Sequence, residues 1–332
     1  MLGVNLKFSR RRFIILLAAV IAAAFGLTYL SNLLKPRVKE EIKGVRKNRG
    51  NVYIKNGKSL VAIAKGIKDP RILVRDVIEA LGGLDKLIKP GDKVVIKPNV
   101  GFRNPHAVVS PLIVAELVAL AYEAGAGEVI VAESSVRGTD TTSAFEKTGY
   151  FEHLKNVKLI DLKKEGIVKT LKVEEAYKLE EVKVYSEIFD SDVLISVAKM
   201  KRHSSAIATL GMKNLIGCFP DDEKGRFHRL GLHYCIADIA YILRPELVVI
   251  DATEAMTVSG PSGGKMVKLD TVIASGDIIA ADFISAKILF ETEEAKNAED
   301  KALNIPYIKL TREKGLGVLE EDKIELVYRE LG

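Results

Sequence analysis

Four polar segments of this 332-residue chain carry side chains able to do chemistry, and each directly follows an apolar run. They are Lys97-Pro98-Asn99, Glu133-Ser134-Ser135, Lys199-Met200-Lys201-Arg202-His203 and Asp251. Lysine or arginine beside serine or asparagine is the combination that holds carboxylates and phosphates. A fifth segment, Gly211-Met212-Lys213-Asn214, sets an ammonium next to an amide after a glycine that lets a ligand approach the backbone. Lys97, Asn99, Lys199, Lys213 and Asn214 are therefore the expected contacts of a small anionic molecule. The competing reading is that any strand turns polar where it enters a solvated loop.

Three histidines, His203, His228 and His233, fall in the same central region. Imidazole ligates transition metals and moves protons near neutral pH. His203 or His233 is the candidate proton-transfer group, and Asp251, a catalytic candidate with them, or Asp282 would orient a histidine or a metal. His203, His228 and His233 together are the candidate metal ligands. His228 and His233 are five positions apart, about 140° on a continuous helix, so a shared site needs a turn near Gly231. The five strand-end or glycine-flanked groups Lys97, Asn99, His203, Lys213 and Asp251 are expected to converge within about 10 Å at the largest pocket of the body. Asp282 lies inside an apolar stretch and needs a partner. Ser259–Lys265 does not meet the phosphate-loop spacing and reads as a tight turn before a strand at 266–274.

The elements that would position these groups alternate along the chain. Short strands are expected at 52–55 and 60–64, then a helix over 70–81 with apolar spacing at Ile72, Val74, Val77, Ile78 and Leu81. A β-branched strand at 93–97 stops at Pro98, and Ser110-Pro111 opens a helix over 112–124 that ends at Gly125. Strands at 128–132, 193–197 and 247–250 and a helix at 279–290 continue the order. The fold class is thus α/β, a mostly parallel sheet wound with helices, in one large domain or two intimate subdomains. In such sheets ligands sit at the carboxyl ends of the strands.

Composition separates the N-terminus from the rest. Residues 1–50 hold 11 of the 50 Lys+Arg and 2 of the 44 Asp+Glu, so residues 51–332 carry 39 against 42, a formal charge of −3. That balance argues against a nucleic-acid partner for the body. Ser9-Arg10-Arg11-Arg12-Phe13 precedes an almost unbroken apolar run to Leu30, and no small-x-small cleavage site follows it. The paired arginines resemble a twin-arginine export signal, and the run is long enough to serve as a transmembrane helix. Residues 1–34 are read as a signal or anchor, 35–50 as a basic juxtamembrane linker meeting anionic lipid, and 51–332 as the body. The signal places the body outside the cytosol. Seven basic residues after the run against four before it favour the alternative, a cytosolic body.

The segments Lys97–Gly101, Lys199–His203, Thr209–Gly217, Arg244–Asp251, Gly260–Gly264 and Gly276–Asp282 resemble the domain of unknown function 362 family over roughly 50–330. Some members of that family carry ferredoxin-type cysteine clusters. Cys218 and Cys235 are the only cysteines here and cannot build a self-contained iron–sulfur cluster, although they could form one disulfide. A fold-level analogy to nickel-dependent lactate racemase implies a carboxylate-bearing or phosphorylated ligand and a bound metal or metal cofactor. Two functions follow as expectations. One is a membrane-anchored enzyme acting on a small anionic molecule. The other is a non-catalytic tethered binding or accessory protein serving a membrane or electron-transfer partner.

Overall fold

Runs such as Val94-Val95-Ile96 and Leu247–Ile250 are apolar at every position because both faces of the strand they form are covered. A computed structural model describes residues 41–67 and 69–332. The expected signal or anchor helix lies outside the described residues, and no helix among those described is long and apolar enough to cross a membrane.

Eight strands make the path of the main sheet: β1 Lys58–Lys65, β2 Lys93–Pro98, β3 Glu128–Glu133, β4 Lys158–Asp161, β5 Val193–His203, β6 Leu247–Thr257, β7 Lys265–Ser275 and β8 Ile324–Glu330. Their spatial order is β8-β1-β7-β6-β5-β2-β3-β4. Neighbours pair in parallel except where β7 meets β6 and β1. From β2 the chain moves outward to β3 and β4, and from β5 it moves the other way to β6 and β7. The gap between β2 and β5 is therefore the switch point of the winding, where the loops on either side diverge and leave a crevice.

Alternate residues of each strand feed two cores. In β5, Val193, Ile195 and Val197 face one core and Leu194, Ala198 and Met200 the other. The first core is closed by α1 Pro70–Leu81 and α2 Pro111–Glu123. Asp69 caps α1 by accepting the Arg71 N–H, Pro70 sits in its first turn, and Gly82 ends it at φ +104°. Ser110 precedes α2 without a side-chain capping bond, so the proline alone sets that start. The second core is closed by α3 Leu232–Leu243, α4 Ile278–Thr292 and a separate three-stranded sheet of residues 41–43, 168–172 and 181–185.

Glu41–Gly332 form one compact unit, so the two-subdomain alternative does not describe it. The unit also starts ten residues before the expected boundary at 51. Glu41–Lys43 pairs with Val168–Lys172, and Arg46, buried, holds Glu246 at 2.6 Å. Arg49 likewise holds Asp92 at 2.6 Å. From the sequence the basic run reads as a juxtamembrane linker meeting anionic lipid, because sequence does not reveal distant carboxylate partners.

Candidate functional site

Lys97 is the penultimate residue of β2, and its register partner on β5 is Ser196. Its ammonium donates to Glu133 at the end of β3 at 2.9 Å, to Pro98 O at 2.7 Å and to Asn214 Oδ1 at 3.1 Å. All three N–H bonds of this buried lysine are thereby engaged. Glu133 accepts in addition from the Val100 N–H at 2.8 Å and the Ser134 N–H at 2.7 Å. Gly217 must be glycine here, since a Cβ would lie 2.3 Å from Glu133 Oε1 and 2.6 Å from Lys97 Cε.

Asn214 ties the two sides of the switch point together. Its Nδ2 donates to Lys97 O at 3.0 Å and Ser196 Oγ at 3.0 Å, while its Oδ1 also accepts from Asn99 Nδ2 at 3.2 Å. The short helix Gly211–Asn214 that carries it starts on Asp282 of α4, whose carboxylate accepts the Gly211 and Met212 N–H groups at 2.7 and 3.0 Å. Asp282 has thus found the partner its apolar setting demanded. Burial outweighs these bonds and pushes its carboxyl up to about 7.

Between these groups lies a cavity of about 60 Å³ lined by Lys97, Asn99, Glu133, Lys213, Asn214 and Lys224, among others. Lys224 was missed by sequence reasoning because the helix Asp221–Leu230 reads as a solvated charged face. Its ammonium is buried among Ser134 O at 2.8 Å, Ser134 Oγ at 2.6 Å, Ser135 O at 2.7 Å and Asp221 at 3.0 Å. Lys213 differs from both other cations. It is half-buried and has no hydrogen-bond or ion-pair partner among the described residues. Burial, then the charges of Lys97 and Lys224, lower its ammonium to about 8. Three cations against the single carboxylate of Glu133 leave the lining positive.

Four expected site residues, Lys97, Asn99, Lys213 and Asn214, meet at this cavity, and the rest do not line it. Lys199 and Asp251 are register partners on β5 and β6 and form a buried ion pair at 3.1 Å. Asp251 accepts further bonds from Ser110 N at 2.9 Å and Thr253 Oγ1 at 2.6 Å, so it orients a lysine and a loop rather than a histidine. His203 Nδ1 accepts the N–H groups of Ser205 and Ala206, at 3.1 and 3.2 Å, which leaves the ring proton on Nε2. Burial, then the Lys213 and Lys201 charges, lower its pKa to about 3. His228 is lowered by burial and by Lys213 and Arg137. His233 is lowered by burial and stacks at 5.9 Å on Tyr307, a residue of the second core.

No group of three or more His, Cys, Asp or Glu side chains that could hold a metal ion exists among the described residues, so the three-histidine set is not assembled. His203 ends a strand, His228 lies on the helix Asp221–Leu230 and His233 opens the next helix, and spacing alone could not foresee that placement. Cys218 and Cys235 are free and buried, and burial pushes each thiol up to about 12. A larger cavity, about 540 Å³, lies along residues 42–49 and 189–192, away from the carboxyl ends of the main-sheet strands, so the expected match between the site and the largest pocket fails.

Fold and cavity together define an α/β protein with a positively lined crevice at the switch point of its main sheet. The chain belongs to the domain of unknown function family DUF362, whose model matches residues 94–287. A thylakoid-associated protein of Synechocystis sp. is 29% identical over 229 residues, 65% of this chain and 68% of that protein. Among solved structures, a Thermotoga maritima protein is similar with a TM-score of 0.44 at 14% identity, covering 75% of this chain and 60% of the other. The lactate racemase apoprotein of Thermoanaerobacterium thermosaccharolyticum gives a TM-score of 0.35 at 12% identity, covering 68% and 58%. The chain thus spans about three fifths of the solved structures it matches.

Proposed function

We propose that this protein binds a small anionic molecule in the switch-point cavity, with Lys213 as its direct cationic contact. The observation that carries this reading is the contrast among the lining lysines: Lys97 and Lys224 are engaged, whereas Lys213 has no partner among the described residues. The first two then act through their field, and Asn214 fixes the wall from which Lys213 projects. An amine held to about 8 also exchanges its proton near neutral pH, which makes Lys213 the proton-transfer group if the bound molecule is turned over.

Calorimetric titration of the full-length protein with phosphate and with small carboxylates tests the binding claim. Lys213→Ala is expected to weaken binding by one charge-assisted bond, about 1.5–3 kcal/mol or roughly tenfold or more. Its thermal midpoint should not fall, because Lys213 satisfies no other group. Equal affinity in wild type and variant would reject the assignment.

We further propose that the protein is membrane-anchored through residues 1–34 with its body outside the cytosol. Support comes from the arginine-flanked apolar run and from the thylakoid association in the relative's name. Replacing Arg10 and Arg11 by lysine keeps the charge and removes the paired guanidinium groups, so export should stop while membrane insertion persists. Protease that cuts the body only after lysis would establish the cytosolic orientation instead.

A further inference from the structure

A residue that lines the cavity also carries an unpaired group, of the opposite kind to Lys213. Asn99 lines the cavity, and its side-chain Oδ1 is buried with no hydrogen-bond partner. Its orientation is fixed by the other end of the amide, since Nδ2 donates to Asn214 Oδ1, an oxygen that also accepts from Lys97. Exchanging the two ends of the Asn99 amide would set oxygen against oxygen, so the acceptor cannot be turned away. Among the other lining side chains, the Lys97 and Lys224 ammonium groups and the Asn214 amide are engaged elsewhere, and Lys213, the free donor, makes no bond to it. A buried acceptor left without a donor weakens any complex that does not provide one.

We infer that the ligand of this site is an oxyanion that carries its own hydrogen-bond donor, its charge meeting Lys213 and its hydroxyl meeting Asn99 Oδ1. The inference rests on the anion-binding reading above and names the substrate class: hydroxy-carboxylates or hydrogen phosphate and its monoesters. Asn99 is then a specificity-determining residue. A site built to pair a ligand hydroxyl discriminates strongly against the analogue lacking it, whereas charge alone does not separate the two. The cavity, about 60 Å³, admits an anionic head of a few heavy atoms, and any larger part of the molecule must extend outward.

Two matched pairs of probes test this on the full-length protein near pH 7, below the value of about 8 at which Lys213 loses its charge. Glycolate and acetate carry the same charge and differ by a hydroxyl. Hydrogen phosphate and sulfate share a tetrahedral shape, and only the former bears a proton. Calorimetry is expected to show glycolate at least tenfold tighter than acetate if the head is a hydroxy-carboxylate, or hydrogen phosphate at least tenfold tighter than sulfate if it is a phosphate. In Asn99→Ala that preference should collapse while the weaker member of the pair is bound about as before. Equal affinities within both pairs would overturn the donor requirement and leave the anion pocket standing. Failure of all four probes to bind would overturn both readings. If Asn99→Ala does not fold, the wild-type ratios decide alone.

Discussion

The carboxylate of Asp282, in the first turns of α4, accepts the N–H of Gly211 at 2.7 Å and so fixes the first residue of the segment that carries Lys213 and Asn214. Gly211 has no room for a side chain, because a Cβ would lie 2.8 Å from Asp282 Oδ1 and 2.5 Å from Val248 Cγ1. Asp282 touches no ligand in this account and acts by positioning. Asp282→Ala leaves two buried N–H groups unpaired, a loss of about 1–3 kcal/mol for each by the usual cost of such groups. Chemical denaturation should show that loss, and anion affinity should fall in any variant that still folds.

The same carboxyl gives a pH signature. Its pKa is raised to about 7 in the folded protein from an unfolded value of about 4, so the folded state holds the proton more firmly. Its contribution to stability is fully present below about pH 4 and is lost as pH rises to about 7. Asp282→Asn should therefore flatten the stability profile between those limits. An unchanged slope would mean that other groups dominate that window.

Lys213 titrates in the opposite sense for binding. With its ammonium lowered to about 8, anion affinity should be full near pH 6.5 and decline as pH passes about 8. Lys213→Arg keeps its charge to far higher pH and should remove the decline. Titrations from pH 6 to 9.5 read both curves, and a wild-type affinity flat across that range would exclude Lys213 as the contact.

Lys97 and Lys213 line the same cavity, yet their loss should have different consequences. Lys97 and Glu133 are both buried and form an ion pair at 2.9 Å, so Lys97→Met strands a carboxylate and should cost about 3–5 kcal/mol of stability. Adding Glu133→Leu to it should recover part of that loss, because the stranded charge is then gone. Denaturant midpoints of the single and double variants decide. Lys213→Ala is expected to lose affinity with its stability intact.

These differences mark how far the sequence could be read. Lys97, Asn99, Lys213 and Asn214 were recognisable because apolar strand runs and a glycine announce strand ends and close approach, and the parallel winding gathers strand ends on one edge. Which lysine is free was not recognisable. Lys199 is neutralised by Asp251 through strand register, and Lys224 is drawn inward by Ser134 and Ser135, ninety residues away in sequence. Arg46 and Arg49 looked like a linker for the same reason, their carboxylates Glu246 and Asp92 being remote in the chain. Periodicity located α1 at its observed bounds, and it underestimated β5 and β6, which run on past their apolar segments through buried lysines and Asp251.

The central claim is that an anion occupies the cavity between Lys213 and Asn99. Arsenate shares the shape and the proton of hydrogen phosphate, and its arsenic can be located by anomalous diffraction. Crystals of the protein grown with arsenate near pH 7 should show an arsenic peak in the cavity, with oxygens at hydrogen-bonding distance, about 2.7–3.2 Å, from Lys213 Nζ and Asn99 Oδ1. Arsenic peaks confined to surface lysines and arginines, with none between those two residues, would contradict the account.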